Sequence, residues 1–312
     1  MRRIDPWTLV VPIIAGLAIL GTAIAEPQFL AATNLQNVVR QSVPLGMFAM
    51  AQTLAILTRG LDLSQGGVVV VVSVAFAFLA QAIGTELAIP IALLVGLTAG
   101  MVNGAIVAGF SVSPFVVTLG VGSILQGVAL IAANGQPIST VPPNFSYLFY
   151  AQVFGIPVPL LVSIGVCIAL WFLLQRVSLG RQIYAVGSNP RAAYLAGIPV
   201  RLTVLWTYGL AGLLTAGGSV LLSSRIASGH PTAGSDAALQ AVAAAVIGGV
   251  SLFGGRGSVV GALIGAAFLG LLANALNLLG ISSFMQLVAV GLAIIIAVIA
   301  DKGRTRSRGE GT

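Results

Sequence analysis

Long apolar blocks run through this chain with little between them, and no water-soluble fold can be built from such a pattern. Of its 312 residues, 58% are hydrophobic and only 7% are charged. A soluble domain is about a quarter charged, enough to clothe its own core in water. Blocks of ~20 apolar residues match the length a helix needs to cross a bilayer. A membrane β-barrel would alternate apolar and polar residues along each strand, and these blocks do not. The expected fold class is therefore all-α, a polytopic helical membrane protein of about ten transmembrane helices forming a single transmembrane domain over 1–312. The predicted spans are 7–25, 37–58, 61–81, 87–109, 114–133, 157–175, 203–223, 237–253, 258–279 and 284–300. Several hold glycine or proline, so some are expected to be broken or re-entrant.

Ten spans put both termini on one side of the membrane. With that side cytosolic, the inside set of basic residues is Arg2, Arg3, Arg59, Arg176, Arg181, Arg191, Arg201, Arg256, Lys302, Arg304, Arg306 and Arg308, leaving Arg40 and Arg225 outside. This asymmetry is a strong positive-inside signal. It assigns the net charge of +7 to membrane orientation and not to nucleic-acid binding. It also defines a cytosolic loop at 176–202 and a cytosolic tail at 301–312. The first block, after Arg2 and Arg3, resembles a signal peptide, but its apolar stretch is longer than a usual signal core, so an uncleaved anchor is expected. No lipidation motif is visible.

Gly257, Gly261 and Gly265, four residues apart, share one helix stripe. Small residues let helix backbones approach closely in lipid. The stripe suits either a sliding or subunit-contact surface or tight packing within one protomer, and the second is expected. Ser113-Pro114-Phe115 with Gly122 resembles Ser282-Ser283-Phe284 with Gly291, and Asn103 and Asn274 precede them similarly. With the two turns on opposite sides, the halves form a possible inverted repeat, a common plan in transporters.

Several chemistries are excluded. A P-loop needs a lysine within its glycine turn, whereas the only lysine is Lys302 in the tail; the chain is not expected to be an enzyme, and ATP hydrolysis would fall to another subunit. One cysteine, Cys167, and one histidine, His230, allow neither an internal disulfide nor a Cys-based or two-histidine metal site, and no cofactor or metal is expected. The acids Asp5, Glu26, Asp62, Glu86, Asp236, Asp301 and Glu310 fall at span ends or between spans, so no ionisable relay of the kind found in proton-coupled carriers crosses the membrane. A transporter of this design takes its energy from a partner.

Two segments stand out. In the loop 176–202, Asn189-Pro190-Arg191 opens a short helix over 190–196: Asn caps, Pro suits the first helical position, and Gly197 ends it. A lone helix of two turns is marginal in water. It either docks on a cytosolic partner or lies on lipid headgroups, and the residues leave the two readings even. The second segment, 58–67, carries Arg59, Asp62 and Ser64 beside glycines where two spans nearly touch. A helix cap by Asp62 or Ser64 and a local Arg59–Asp62 pair account for most of it.

These segments together resemble the ribose-type (monosaccharide) permease family of bacterial ABC importers. Leu57-Thr58-Arg59-Gly60-Leu61-Asp62-Leu63-Ser64-Gln65-Gly66 is similar to that family's Gly-Ile-Asp-Leu-Ser-Val-Gly signature, with Gln65 where Val is usual. Val102-Asn103-Gly104 and the run 113–120 resemble its next two blocks. The run 179–189, with Ala192-Ala193 and Ala196-Gly197-Ile198, matches its cytosolic loop, and 243–257 matches its late glycine block. A stretch at 237–241 departs from a Glu-Leu-containing pattern common there.

The resemblance implies a transmembrane permease subunit of an ATP-driven importer for a monosaccharide such as ribose, in the bacterial inner membrane. Its partners would be cytosolic ABC ATPase subunits, a periplasmic sugar-binding protein and a second permease copy, either the same chain or a close paralogue. It tips the loop helix toward docking, with Gly180, Arg181, Asn189, Pro190, Arg191, Tyr194 and Gly197 as the ATPase-coupling loop, and makes Asp62 and Ser64 a structural signature. Branched-chain amino acid or nucleoside permeases are the near alternative; a stand-alone secondary carrier is the distant one. A neutral sugar needs neutral donors and acceptors along its path. Among the amides within spans, Gln52, Asn103 and Asn274 are the candidates, against a plainer reading in which they bond between helices.

Overall fold

The computed structural model describes residues 26–110 and 112–282, together with residues 16, 20–24, 285, 288, 291, 292 and 295. The predicted tail 301–312 and most of the spans at 7–25 and 284–300 lie outside the described residues. The major helices are α1 (Ala32–Leu57), α2 (Gln65–Ile83), α3 (Thr85–Phe110), α4 (Pro114–Ala132), α5 (Tyr147–Tyr150), α6 (Val158–Arg176), α7 (Ser178–Ser188), α8 (Pro190–Leu195), α9 (Val200–Ile226), α10 (Ala237–Ile247) and α11 (Val259–Leu278). Six of these, α2, α3, α4, α6, α9 and α11, are long and apolar enough to cross a membrane. The chain is thus an all-α, multi-pass membrane protein.

α1 is the hub. Its first turns carry polar residues, but 42–44 and 46–57 are buried. It packs on α9, α10 and α11, with α6 and α7 alongside. The tightest seam joins α3 to α9. A methyl group on Gly96 would strike Ala216 and the Gly212 carbonyl, one on Gly100 the Tyr208 carbonyl, and one on Gly104 the Leu205 backbone. Glycines at every fourth position bring the two backbones into direct contact, the way helices associate tightly without a hydrophobic driving force. This seam is written in the sequence in the same spacing as the 257–265 stripe.

That later stripe packs within the chain, as expected. Gly261 and Gly265 lie against Gly248 and the Ala244 carbonyl of the neighbouring segment, and a side chain at either would enter that backbone. Gly257 lies outside α11, at φ 151°, against Val250.

The predicted span 237–253 is corrected. Only Ala237–Ile247 is helical, ~16 Å at 1.5 Å per residue and too short to cross alone. The turn at Gly248–Gly249 ends it, Gly249 having φ 86°. On its other side the chain descends beside α2 without helix: Gly229 lies against Ser73 and Ala77, Gly234 against Val69, and the Ser235 carbonyl against Gly66. Irregular backbone at membrane depth is tolerated where protein covers it. Here α2 does so, with Ser73 Oγ accepting the His230 N–H at 2.9 Å.

The helix ends sort into two faces. One gathers the α1–α2 turn with Arg59, the 176–201 segment with Arg176, Arg181, Arg191 and Arg201, and the 248–257 loop with Arg256; the Gly255 N–H donating to the Leu57 carbonyl at 3.0 Å ties them. The other gathers the 133–157 loop and the end of α9, joined by a backbone bridge between Ile138 and Gly229 and by the Tyr150 hydroxyl donating to the Arg225 carbonyl. A small hairpin, β1 (Gln152–Val153) with β2 (Ile156–Pro157), decorates this second face.

Candidate functional site: the docking segment and the Asp62 turn

The 176–202 segment is more helical than the sequence reading. The expected loop contains a second helix, α7, over Ser178–Ser188. Its signal is Leu179, Ile183 and Val186 at helical spacing; Ile183 and Val186 are buried against α1 and its neighbours. Gly180 is buried where α7 meets α6, and a side chain there would enter the Leu173–Leu174 backbone. Arg181 is exposed and donates to the Arg176 carbonyl at 3.3 Å. Tyr184, half-buried, donates its hydroxyl to the Gly257 carbonyl at 2.9 Å, and burial pushes its phenol above the usual range.

α8 forms as the Asn189-Pro190 signal predicts. The Asn189 side chain accepts the Ala192 N–H at 3.0 Å, and Pro190 stands at the first helical position. The helix ends at Leu195, one residue before the expected 196, and Gly197 takes φ 80° just beyond it. Ala193 is its buried anchor. Arg191 is exposed, and Tyr194 and Leu195 are 72% and 78% exposed. Two large apolar side chains thus stand out from a short helix on the arginine-bearing face.

The expected Arg59–Asp62 pair does not form. Arg59 turns away, its Nε and Nη2 donating to the Gly187 and Ser188 carbonyls at 2.6 and 2.5 Å. Those groups end α7, where the unpaired carbonyls of a helix carry partial negative charge. The guanidinium goes to these carbonyls, while the Asp62 carboxylate turns to Ser64.

Asp62 instead folds inward. Its Oδ1 accepts the Ser64 N–H at 3.0 Å and the Ser64 hydroxyl at 2.5 Å. Ser64 occupies the N-cap position of α2 without its own side chain capping, so of the two expected caps it is Asp62 that satisfies a backbone donor. Asn103 of α3 donates Nδ2 to Ser64 Oγ at 2.7 Å. Gln52 of α1 grips the Asp62 backbone: oriented by its neighbours, its amide nitrogen donates to the Asp62 carbonyl at 3.1 Å and its oxygen accepts the Asp62 N–H at 3.3 Å. Thr118 of α4 receives the Leu63 N–H at 3.0 Å, and its one hydroxyl hydrogen lies between the Pro114 carbonyl of its own helix at 2.8 Å and the Leu61 carbonyl at 3.1 Å. One turn is therefore held by α1, α3 and α4. Ser64 lies beside Asn103, seven residues before the end of α3, ~10 Å in from that face.

Gln52, Asp62, Ser64 and Asn103 are thus brought together, all buried. Asn274 is apart: near the far end of α11, it exchanges hydrogen bonds with Asn34 of α1 at 2.9 and 3.1 Å. The sequence reading missed Tyr208 of α9, whose hydroxyl is buried, has no hydrogen-bond partner among the described residues and stands against Gly60. Nothing local marks it, because α9 is remote in sequence. The Asn103 Oδ1 is likewise buried without a partner.

Comparison with known proteins covers nearly all of this architecture. The family model described as branched-chain amino acid transport system / permease component matches residues 34–298. A ribose import permease of Bacillus subtilis (strain 168) is 38% identical over 292 residues, 93% of this chain and 91% of that one. A D-allose transport system permease of Escherichia coli (strain K12) is 34% identical over 295 residues, 92% and 88% of the two chains. A fructose import permease of Rhizobium meliloti is 38% identical over 304 residues, 94% and 83%. No solved structure matches the chain.

Proposed function

The chain belongs to the permease-component family of branched-chain amino acid transport systems, and on that premise we propose that it conducts a monosaccharide, such as ribose, across the bacterial inner membrane as the transmembrane subunit of an ATP-driven ABC importer. The observation that carries the sugar reading is full-length similarity to import permeases named for ribose, D-allose and fructose. The family's description names amino acids, which keeps those as the comparison substrates.

The partners in this reading are cytosolic ABC ATPase subunits, a periplasmic sugar-binding protein and a second permease copy. α8 is the element offered to the ATPase. Its exposed Tyr194 and Leu195 suit an apolar groove, with Arg191 in its first turn and Arg181 on the preceding helix α7. Asn189, Pro190 and Gly197 fix its two ends and Gly180 its base, so the apolar pair is presented in one orientation. Both termini are cytosolic, the arginine-bearing face being the inner one.

The path is proposed to pass the Asp62 turn, with Gln52 and Asn103 on its inner third and Asn274 nearer the outer end. The Asn103 Oδ1, without a partner among the described residues, is an acceptor of the neutral kind a sugar hydroxyl uses. Cysteines at 103 and 274 in a Cys167→Ala background should react with a water-soluble thiol reagent at rates that change with ATP. If both stay unreactive in every nucleotide state, these amides only bond helices together.

The test of the function is affinity purification of the tagged chain from gentle detergent. A P-loop ATPase is expected to co-purify, and ribose, allose or fructose, but not leucine, should stimulate hydrolysis in the presence of the cognate binding protein. Stimulation by leucine alone would move the assignment to the amino acid branch.

A further inference from the structure

Arg59 combines two features. It is a non-glycine residue at φ 64°, a left-handed conformation that brings an L-residue's Cβ too close to the following carbonyl. It also spends its guanidinium on two consecutive backbone carbonyls, Gly187 and Ser188, immediately before Asn189 caps α8. Backbone strain of this kind persists where surrounding structure holds it, often at switch regions. The surroundings here are crowded. A side chain on Gly254 would strike Arg59 Cγ, and one on Gly187 would strike the Leu57 carbonyl and the Gly255 nitrogen. The α7 terminus, the α1 terminus and the 248–257 loop therefore meet around this one side chain with no slack.

Beyond Arg59 the turn is equally fixed. Leu63 donates to Thr118 of α4, which also faces the Leu61 carbonyl at 3.1 Å. Asp62 is gripped by Gln52 of α1, and Ser64 is bound to Asn103 of α3. We infer that Arg59 is a positioning residue that transmits movement of the docking helix α8 through the end of α7 to the Asp62 turn and so to α1, α3 and α4. This rests on the importer reading above. A displacement of α8 by a partner moves Gly187 and Ser188. The two donors from one rigid guanidinium fix direction as well as distance, so the backbone at 59 must follow, and the bonds from 61 to 64 carry the shift onto three helices.

The test uses the complete complex, permease with ATPase and binding protein in lipid nanodiscs. Arg59→Gly is the informative variant: glycine adopts φ 64° without penalty, so the turn keeps its shape and only the clamp is lost. Arg59→Lys keeps the charge but not the paired geometry. Expected for Arg59→Gly are intact assembly, unchanged basal ATP hydrolysis and unchanged KM for ATP. Stimulation by sugar-loaded binding protein should fall about fivefold or more, the scale of a typical coupling free energy, with Arg59→Lys intermediate. Wild-type stimulation in Arg59→Gly overturns the inference. So does loss of the ATPase from the complex, since Arg59 would then be holding the docking surface itself. If the wild-type complex is not stimulated at all, the importer reading fails instead.

Discussion

Gly187 shows how little freedom single residues have in the 176–202 segment. Any Cβ there meets the Leu57 carbonyl and the Gly255 nitrogen, both backbone. Gly187→Ala should therefore cost about 1–3 kcal/mol, the usual range for overpacking, seen as a lowered Tm of the detergent-solubilised chain. An unchanged Tm would mean the three backbones are not in contact. Asn189 sits two residues on and behaves differently. Its cap bond to Ala192 is exposed, so Asn189→Ala should remove about 1 kcal/mol of local helix stability, read as faster hydrogen exchange confined to α8. The contrast marks what a sequence can disclose. The cap is local and was legible from Asn189-Pro190. The demand for glycine at 187 is set by residues 57 and 255, and Arg59 left its nearby Asp62 for carbonyls more than a hundred positions away. No local pattern encodes either fact.

At the scale of elements, period and length carried most of the fold. Helices α2, α3, α4, α6, α9 and α11 occupy predicted spans with ends shifted by a few residues. α7 is hard to see in the sequence because glycine and polar residues at 178, 180–182, 187 and 188 leave it short of apolar positions, although Leu179, Ile183 and Val186 mark it. The span at 237–253 was drawn too long because the apolar run continues through Val250 and Leu252 after the helix stops at the glycine pair. Composition does not see the stop; the positive φ of Gly249 does. α8 has the clearest element-level test. Tyr194→Pro removes a helix bond and clashes with the preceding turn, costing about 3 kcal/mol of helix stability. Substrate-stimulated ATP hydrolysis should then collapse while the membrane domain remains folded. Normal transport in this variant would rule out α8 as the docking element.

For the whole molecule, the division of helix ends into two faces agrees with the charge asymmetry of the sequence. The arginines at 59, 176, 181, 191, 201 and 256 gather on one, and the end of α9 with Arg225 meets the 133–157 loop on the other. Reporter fusions after Gly303 should therefore report the cytosol and fusions at Gln136 the periplasm; the reverse pattern would invert the molecule. The arrangement bears on the energy source of the proposed importer. Among the described residues, Asp62, drawn into the helix packing beside α1 and α3, is bound by Ser64 and not arrayed with other acids, and the exposed apolar pair on α8 is the surface that the proposal offers to a partner. The most direct test is uptake of radiolabelled ribose by proteoliposomes containing this chain. Uptake is expected only when the ATPase, the binding protein and ATP are all present, and never from a proton or sodium gradient alone. Gradient-driven accumulation by the chain without its partners would contradict the importer reading.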